Sequence, residues 1–419
     1  MSNLKNLKNK NIGIVGYGKE GKAISKFLRK FSKKITILDR DENKIVPKSY
    51  KKILGRNYLK NLDNFEILIL SPGIFPFKEE FKNFKGKILT STQIFFENFK
   101  GKIIGISGTK GKGTVATLIY KILKAKKMNV SLGGNIGKPL ITFLKKNPKI
   151  VVAELSSFQL QNLKKSPQIA VLLDIFEDHL DYHRSLKEYF EAKLSLIKFQ
   201  RKNDIAIIDK NLLKKIKRIE KIGKGKKFFF DLNPSLTKDF KIKLFGSHNL
   251  KNIAAVLTLA KILKIKREIL RKTIENFKPL PFHLELVKEI NGIKFINDSA
   301  STNPFSTIEA IKSFSLPKIL ILGGREKNIN LEPLKKEILK NKSIKSVIIF
   351  GEVSKKLFKI LKGKREKYLV NSLKEAVILA KKLAQKNEIV LFSPGFSSLD
   401  CFENSKERGK LFEKLVKNL

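Results

Sequence analysis

The stretch "GTKGKGT" at residues 108–114 follows the apolar run "KIIGIS" and opens a helical pattern. Strand, glycine loop and helix in that order aim backbone amides and a helix N-terminus at one point, with Lys112 beside them. The chemistry this suits is the binding of a nucleotide triphosphate, with Gly108, Thr109, Gly111 and Lys112 around the phosphates. Gly113 stands where the residue after the loop lysine usually carries a hydroxyl, and Thr114 offers one a position later. The alternative is an ordinary turn in a lysine-rich chain, which would need neither that strand nor that helix.

Other residues with chemistry lie further on. "KIVVAELSSFQL" ends an apolar run on Glu154. A carboxylate there is costly to bury without a cation or partner, so it reads either as a magnesium ligand or as a strand-end acid facing solvent. "DIFEDHLDYH" gathers Asp174, Glu177, Asp178, His179, Asp181 and His183, an oxygen-rich set that suits magnesium better than zinc. In "SLKEYFEAKLSLIKF", Ser185 and Glu188 have the spacing of a capping box, and Leu186, Phe190, Lys193 and Ile197 fall on one helix face. A lysine inside an apolar stripe either snorkels to water or has a function; near metal ions it would be neutral or modified. Near the start, "GYGKEG" places Gly16, Gly18 and Gly21 after a strand and before a helix, with Asp39 closing the next strand. This fingerprint fits a nicotinamide cofactor, another phosphate ligand or packing glycines.

Such residues need a scaffold that delivers strand ends to one side. Short apolar runs alternate with helical patterns along most of the chain, the signature of an α/β fold with parallel strands. Expected strands are "NIGIVGYG", "KITILDR", "FEILILSPG", "KIIGISG", "KIVVAELS", "IAVLLDIF", "DIAIIDK", "KFINDS", "KILILGG", "SVIIFG" and "EIVLFSPG". At 419 residues the chain is long enough for several domains of roughly 100–200 residues each. Three groups emerge: 1–97, 98–285 and 286–419. No apolar run approaches the ~18 residues that cross a bilayer, and the N-terminus lacks a signal-peptide pattern. The single cysteine, Cys401, leaves no internal disulfide. These features predict a cytoplasmic protein without membrane insertion. The net charge of +50 raises nucleic-acid binding as a reading of a different class. Lysines in nearly every ten-residue block favour solvated faces instead, with only weak, non-specific attraction to polyanions.

Taken together, the residues resemble the Mur ligases, ATP-dependent amino-acid ligases of peptidoglycan precursor synthesis. "GTKGKGT", "GGNIG", "AELSSFQL", "DHLDYH", "EAKLSLI", "GSHNLKN", "INDSASTNP", "LGGREK" and "SPGFSSLDCFENSKERGKLFEKLV" follow the family's order over essentially the whole chain. The resemblance implies an N-terminal Rossmann-like domain for a UDP-sugar, a central P-loop-type ATPase domain and a C-terminal Rossmann-like domain for the incoming amino acid. Gly16, Gly18, Asp39, Arg40, Ser71 and Asn135 would serve the UDP-sugar. ATP would meet Lys112, Thr114, Asn249, Asn252 and Asp298. Two magnesium ions would be held by Glu154, His179, Thr114 and a carbamylated Lys193; Thr302, Lys327 and Ser398 would contact the acceptor. The implied reaction joins D-glutamate to UDP-N-acetylmuramoyl-L-alanine through an acyl phosphate, in a monomer. Departures are Gly113, Ala300 for the lysine of "DSKATN", Phe282 and His283 for a His-Arg pair, and Ser405 for a phenylalanine. Those at 300 and 405 leave room for another acceptor, L-glutamate or a diamino acid, in a related Mur or folylpolyglutamate-type ligase.

Overall fold

Unbroken apolar runs make strands that must be covered on both faces. The computed structural model describes residue 4 and residues 6–180, 182–233, 237–326, 329–361, 363 and 366–419. In it, β1 (Ile12–Val15), β2 (Ile35–Asp39), β3 (Lys51–Leu54), β4 (Ile67–Leu70) and β5 (Lys87–Thr90) form a parallel sheet in the order β3-β2-β1-β4-β5. Alternate residues enter different cores: Ile12, Ile14, Ile67 and Ile69 one, Val15, Leu68 and Leu70 the other. This matches the first five strands of the doubly wound dinucleotide-binding order 3-2-1-4-5-6, and it reverses between β1 and β4. A crevice therefore opens beyond those two strand ends, where helix α1 (Lys19–Leu28) begins.

A second parallel sheet holds β6 (Lys102–Ser107), β7 (Val130–Gly134), β8 (Ile150–Glu154), β9 (Ile169–Leu172), β10 (Ile205–Asp209) and β11 (Lys226–Phe230). Its order, β11-β10-β9-β6-β8-β7, puts β6 at the point where the winding changes direction. The stretch 108–111 leaves β6 there and enters helix α2 (Lys112–Ala125). Helix α3 (Leu186–Lys198) packs its buried residues Tyr189, Leu196 and Ile197 in the same core as Ala153, Ala170 and Leu172 of this sheet.

The third sheet runs β12-β13-β17-β14-β15-β16, from β12 (Glu285–Ile290), β13 (Ile293–Asn297), β14 (Lys318–Gly323), β15 (Ile344–Phe350), β16 (Glu366–Leu369) and β17 (Ile389–Gly395). Only β12 is antiparallel to its neighbour. Helices α4 (Ser247–Ile262), α5 (Pro304–Lys312) and α6 (Ser405–Lys417) complete the elements used below. By packing, the chain divides into one unit of Met1–Ile175, Lys187–Asp231 and Ala255–Ile269, and another of Phe176–Leu186, Leu232–Ala254 and Leu270–Leu419. Among the described residues no helix is long and apolar enough to cross a membrane.

Candidate active site

In the first unit the candidate phosphate loop at 108–111 is held mainly through its backbone. Gly108 has φ +146°, and a Cβ there would lie 2.6 Å from the Leu173 Cβ, so only glycine fits. Its carbonyl accepts a hydrogen bond from Lys193 Nζ at 2.7 Å. The next amide, of Thr109, donates to the Asp174 carbonyl at 2.9 Å, and the Thr109 hydroxyl lies 3.0 Å from Tyr189 Oη. Lys112 reaches back so that Nζ donates to the Thr109 carbonyl at 2.9 Å, which sets its ammonium over the loop. Thr114 is buried on the first turn of α2.

Lys193 does not snorkel: it is 2% exposed, with Nζ 4.7 Å from the Tyr189 ring centroid. The buried face of α3 is Tyr189, Ala192, Lys193, Leu196 and Ile197, whereas Leu186 is exposed. The expected stripe thus holds at Lys193 and Ile197 and at Phe190, which packs half-buried against the same core, and fails at Leu186. Tyr189, one turn before Lys193, wins the inner place because its ring packs while its hydroxyl meets Thr109.

Glu154 closes β8 and is 6% exposed, which removes the solvent-facing alternative. Its Oε1 accepts from Asn135 Nδ2 at 2.8 Å, and the Asn135 amide donates to the Glu154 carbonyl at 2.9 Å. A candidate sugar-nucleotide residue and a candidate metal ligand therefore touch. In the crevice of the first sheet, Ser71 Oγ donates to the Gly16 carbonyl at 2.7 Å, and the Tyr17 amide to Asp39 Oδ2 at 2.6 Å. Gly21 makes the turn feasible, since a Cβ there would come within 2.1 Å of the Gly16 carbonyl oxygen. Gly18 and Arg40 are exposed at the same strand ends.

The second unit carries the remaining candidates. Asn249 and Asn252, buried one turn apart on α4, pair through Asn252 Nδ2 and Asn249 Oδ1 at 3.1 Å. Burial first, and the neighbouring charge of His283 second, push the His248 pKa down to about 4. Asp298, buried after β13, accepts from the Leu284 amide and from the hydroxyls of Ser301 and Ser393. It thereby ties the end of β13 to β17. Phe282 and Leu284 both have positive φ beside it, and the Phe282 carbonyl accepts from the Ala300 amide. Thr302 lines a small cleft with Glu326, Gly395 and Phe396. Arg325 and Ser397 form an antiparallel bridge, and Ser398 is buried next to it. Lys327 lies outside the described residues. His179 stands at φ +55° with its amide donating to Asp178 Oδ1 at 3.0 Å. Among the described residues no three His, Cys, Asp or Glu side chains gather to hold a metal ion.

Sequence reasoning missed Tyr189, Asn303 and Arg408. Tyr189 is one turn from Lys193, and "TNPFS" is a helix start with asparagine before an N1 proline, so both left a local trace. Arg408 left none. It is fully buried, and its guanidinium donates to the Ser299 carbonyl and hydroxyl and to the Phe396 carbonyl at 3.0–3.1 Å.

Two family models match the chain: the Mur ligase middle domain over residues 106–235, and the Mur ligase glutamate ligase domain over 284–396. The chain belongs to the Mur ligase family, a class of ATP-dependent ligases. Relatives from Clostridium tetani and Acetivibrio thermocellus, each 32% identical, carry the name UDP-N-acetylmuramoylalanine--D-glutamate ligase. The alignments cover 98% and 99% of this chain and 97% and 98% of those relatives. In fold the chain is similar to a MurF ligase from Thermotoga maritima in complex with ADP, with TM-score 0.62, 18% identity and coverage of 100% of this chain and 98% of that one. A Mycobacterium tuberculosis folylpolyglutamate synthase complexed with ADP and AMPPCP gives TM-score 0.59 at 13% identity over 77% of this chain and 94% of that one.

Proposed function

We propose that the chain joins D-glutamate to UDP-N-acetylmuramoyl-L-alanine at the expense of ATP, acting in the cytoplasm as a monomer. The observation that carries this reading is its full-length likeness to relatives bearing that one ligase name. Residues 1–97 hold the UDP-sugar through Gly16, Gly18, Asp39, Arg40 and Ser71, with Asn135 adding a contact. Residues 98–285 hold ATP, and 286–419 bring the acceptor to Thr302, Lys327 and Ser398.

In the first step a carboxylate oxygen of the precursor attacks the γ-phosphorus. The bond to the ADP oxygen breaks and an acyl phosphate forms. The D-glutamate nitrogen then attacks the carbonyl carbon, loses a proton, and expels inorganic phosphate from the tetrahedral intermediate. Loop amides from Gly108 to Thr114, with the Lys112 ammonium, offset charge on the transferring phosphoryl group. Asn249, Asn252 and Asp298 border the nucleotide. Positioning of carboxylate and amine by separate domains supplies much of the remaining rate.

Glu154, His179, Thr114 and Lys193 as its carbamate fit magnesium, because they offer hard oxygen and imidazole donors. Bound magnesium would add positive charge where the triphosphate is most negative. An unmodified Lys193 would repel that cation, whereas CO2 added to its buried Nζ gives an anionic oxygen in the same place. The 2.7 Å contact to the Gly108 carbonyl supports this reading, since it sets the lysine against the phosphate loop.

The test is phosphate release with ATP, magnesium and UDP-N-acetylmuramoyl-L-alanine, adding D-glutamate, L-glutamate, L-lysine or meso-diaminopimelate separately. Release with D-glutamate alone is expected. Release with another amino acid alone would move the specificity, an outcome that Ala300 and Ser405 make worth including.

A further inference from the structure

Between β9 and α3 the described residues 176–180 and 182–185, with Leu186 at the start of α3, belong by packing with the second unit. A buried polar pair holds them there. Asp178 is 4% exposed and Asn303 fully buried, and Asn303 Nδ2 donates to Asp178 Oδ2 at 2.8 Å. The other side of the same amide, Asn303 Oδ1, accepts from the Ser306 amide and hydroxyl at 3.0 and 2.8 Å, which caps α5. The other oxygen of Asp178, Oδ1, accepts from the amide of His179 at 3.0 Å, and Oδ2 lies 3.7 Å from His179 Nε2. Phe176 packs beside this junction with its ring centroid 5.7 Å from that of Phe305.

The residue types are specific to this arrangement. Serine or aspartate caps a helix as well as asparagine does. Among the common cap residues only asparagine combines an acceptor for the cap with an N–H donor for a buried carboxylate. A serine hydroxyl is too short to reach Asp178 while capping, and an aspartate would set two carboxylates against each other. His179, a non-glycine residue in the left-handed region, keeps that conformation because its amide is fixed by Asp178.

We propose that Asn303 and Asp178 are a positioning pair that links His179, on the metal side, to the acceptor loop carrying Thr302, so that each ligand's occupancy raises the other's affinity. The roles of His179 and Thr302 rest on the ligase reading above.

The experiment uses the full chain and the variants Asn303→Ser, Asp178→Asn and their double. Three quantities are read: amide exchange of 176–186 without metal, the magnesium concentration giving half-maximal ADP binding, and the KM for D-glutamate. Asn303→Ser keeps the cap while removing the donor to Asp178; exchange should quicken and both the magnesium midpoint and KM should rise roughly tenfold. The double variant should be no worse than the poorer single one, as expected for residues acting as a unit. A folded Asn303→Ser protein with exchange, midpoint and KM within twofold of the parent would overturn the proposal, as would additive losses. If Asn303→Ser does not fold, Asp178→Asn, which keeps the side-chain shape, is read against the same limits. Absence of D-glutamate-dependent turnover in the parent would count against the ligase reading instead; the exchange and ADP measurements would still decide the pair.

Discussion

The glycine loop at 108–111 and the loops after β13, β14 and β17 all leave the carboxyl ends of parallel strands, but they are held in different ways. Around Gly108 and Thr109 the backbone itself is gripped, by Lys193 Nζ and by the Asp174 carbonyl, and the motif that does the work is contiguous. The ends of β13, β14 and β17 are instead drawn together by side chains remote in sequence. Asp298 gathers Leu284, Ser301 and Ser393, and Arg408 from α6 gathers Ser299, Gly323 and Phe396. A triphosphate can be bound by amides of almost any sequence with the right glycines, whereas an amino-acid acceptor needs particular side chains held in place. The loop's departure, Gly113, changes one potential hydroxyl; those at Ala300 and Ser405 fall in the loop after β13 and at the start of α6.

The largest expected effect falls on the first region. Lys193→Ala should lower D-glutamate-dependent phosphate release by at least about 100-fold, with partial recovery on adding a short carboxylate such as formate. Full activity in that variant would remove the lysine from the mechanism. In the second region, Arg408→Leu leaves buried carbonyls without donors and should cost about 2–4 kcal/mol of stability, measured by denaturant unfolding. Arg408→Lys should recover little of it, because an ammonium lacks the planar fork that serves several carbonyls. An Arg408→Leu protein as stable as the parent would mean that the loops after β13, β14 and β17 hold themselves.

His248 tests the same region by pH. Its pKa is about 4 in the fold against 6.5 for a free side chain, so on acidification the unfolded chain takes up a proton first. Stability from this source is complete above pH 6.5 and falls as pH drops toward 4, by at most roughly 3 kcal/mol. Thermal unfolding of His248→Gln across that range should show a flatter pH dependence; an unchanged slope would contradict the assignment. The smallest effect is expected for Gly113→Ser, near the start of α2. Activity should stay within about threefold of the parent, since serine suits a helix better than glycine does. A large loss of ATP affinity would show that the loop needs glycine there.

Legibility in the sequence followed burial. The eleven strands expected from apolar runs are all present, and each is flanked on both sides within its sheet. The unforeseen ones, β3, β5, β7, β11, β12 and β16, are the edges of the three sheets. An edge strand such as "KKIL" or "EKYL" has one side open to solvent, so lysine and glutamate interrupt the pattern that interior strands keep. One edge could have been found: Asn291 and Gly292 both have positive φ in the turn joining β12 to β13, and "NG" between alternating residues is a hairpin signal. The site divided similarly. Gly108, Lys112, Glu154 and Lys193 stand out because each is an odd residue in a regular local pattern. Arg408 is one charged residue among many, and its burial depends on a partner over 100 residues away, Ser299.

The acyl-phosphate ligase reading is tested most directly by following oxygen. The precursor is prepared with 18O in both carboxylate oxygens and incubated with ATP, magnesium and D-glutamate. The account predicts inorganic phosphate carrying one 18O and a product amide retaining the other, both dependent on D-glutamate. Phosphate without label, formed at the rate of ATP loss, would mean that water and not the precursor's carboxylate receives the phosphoryl group, and the account would be wrong.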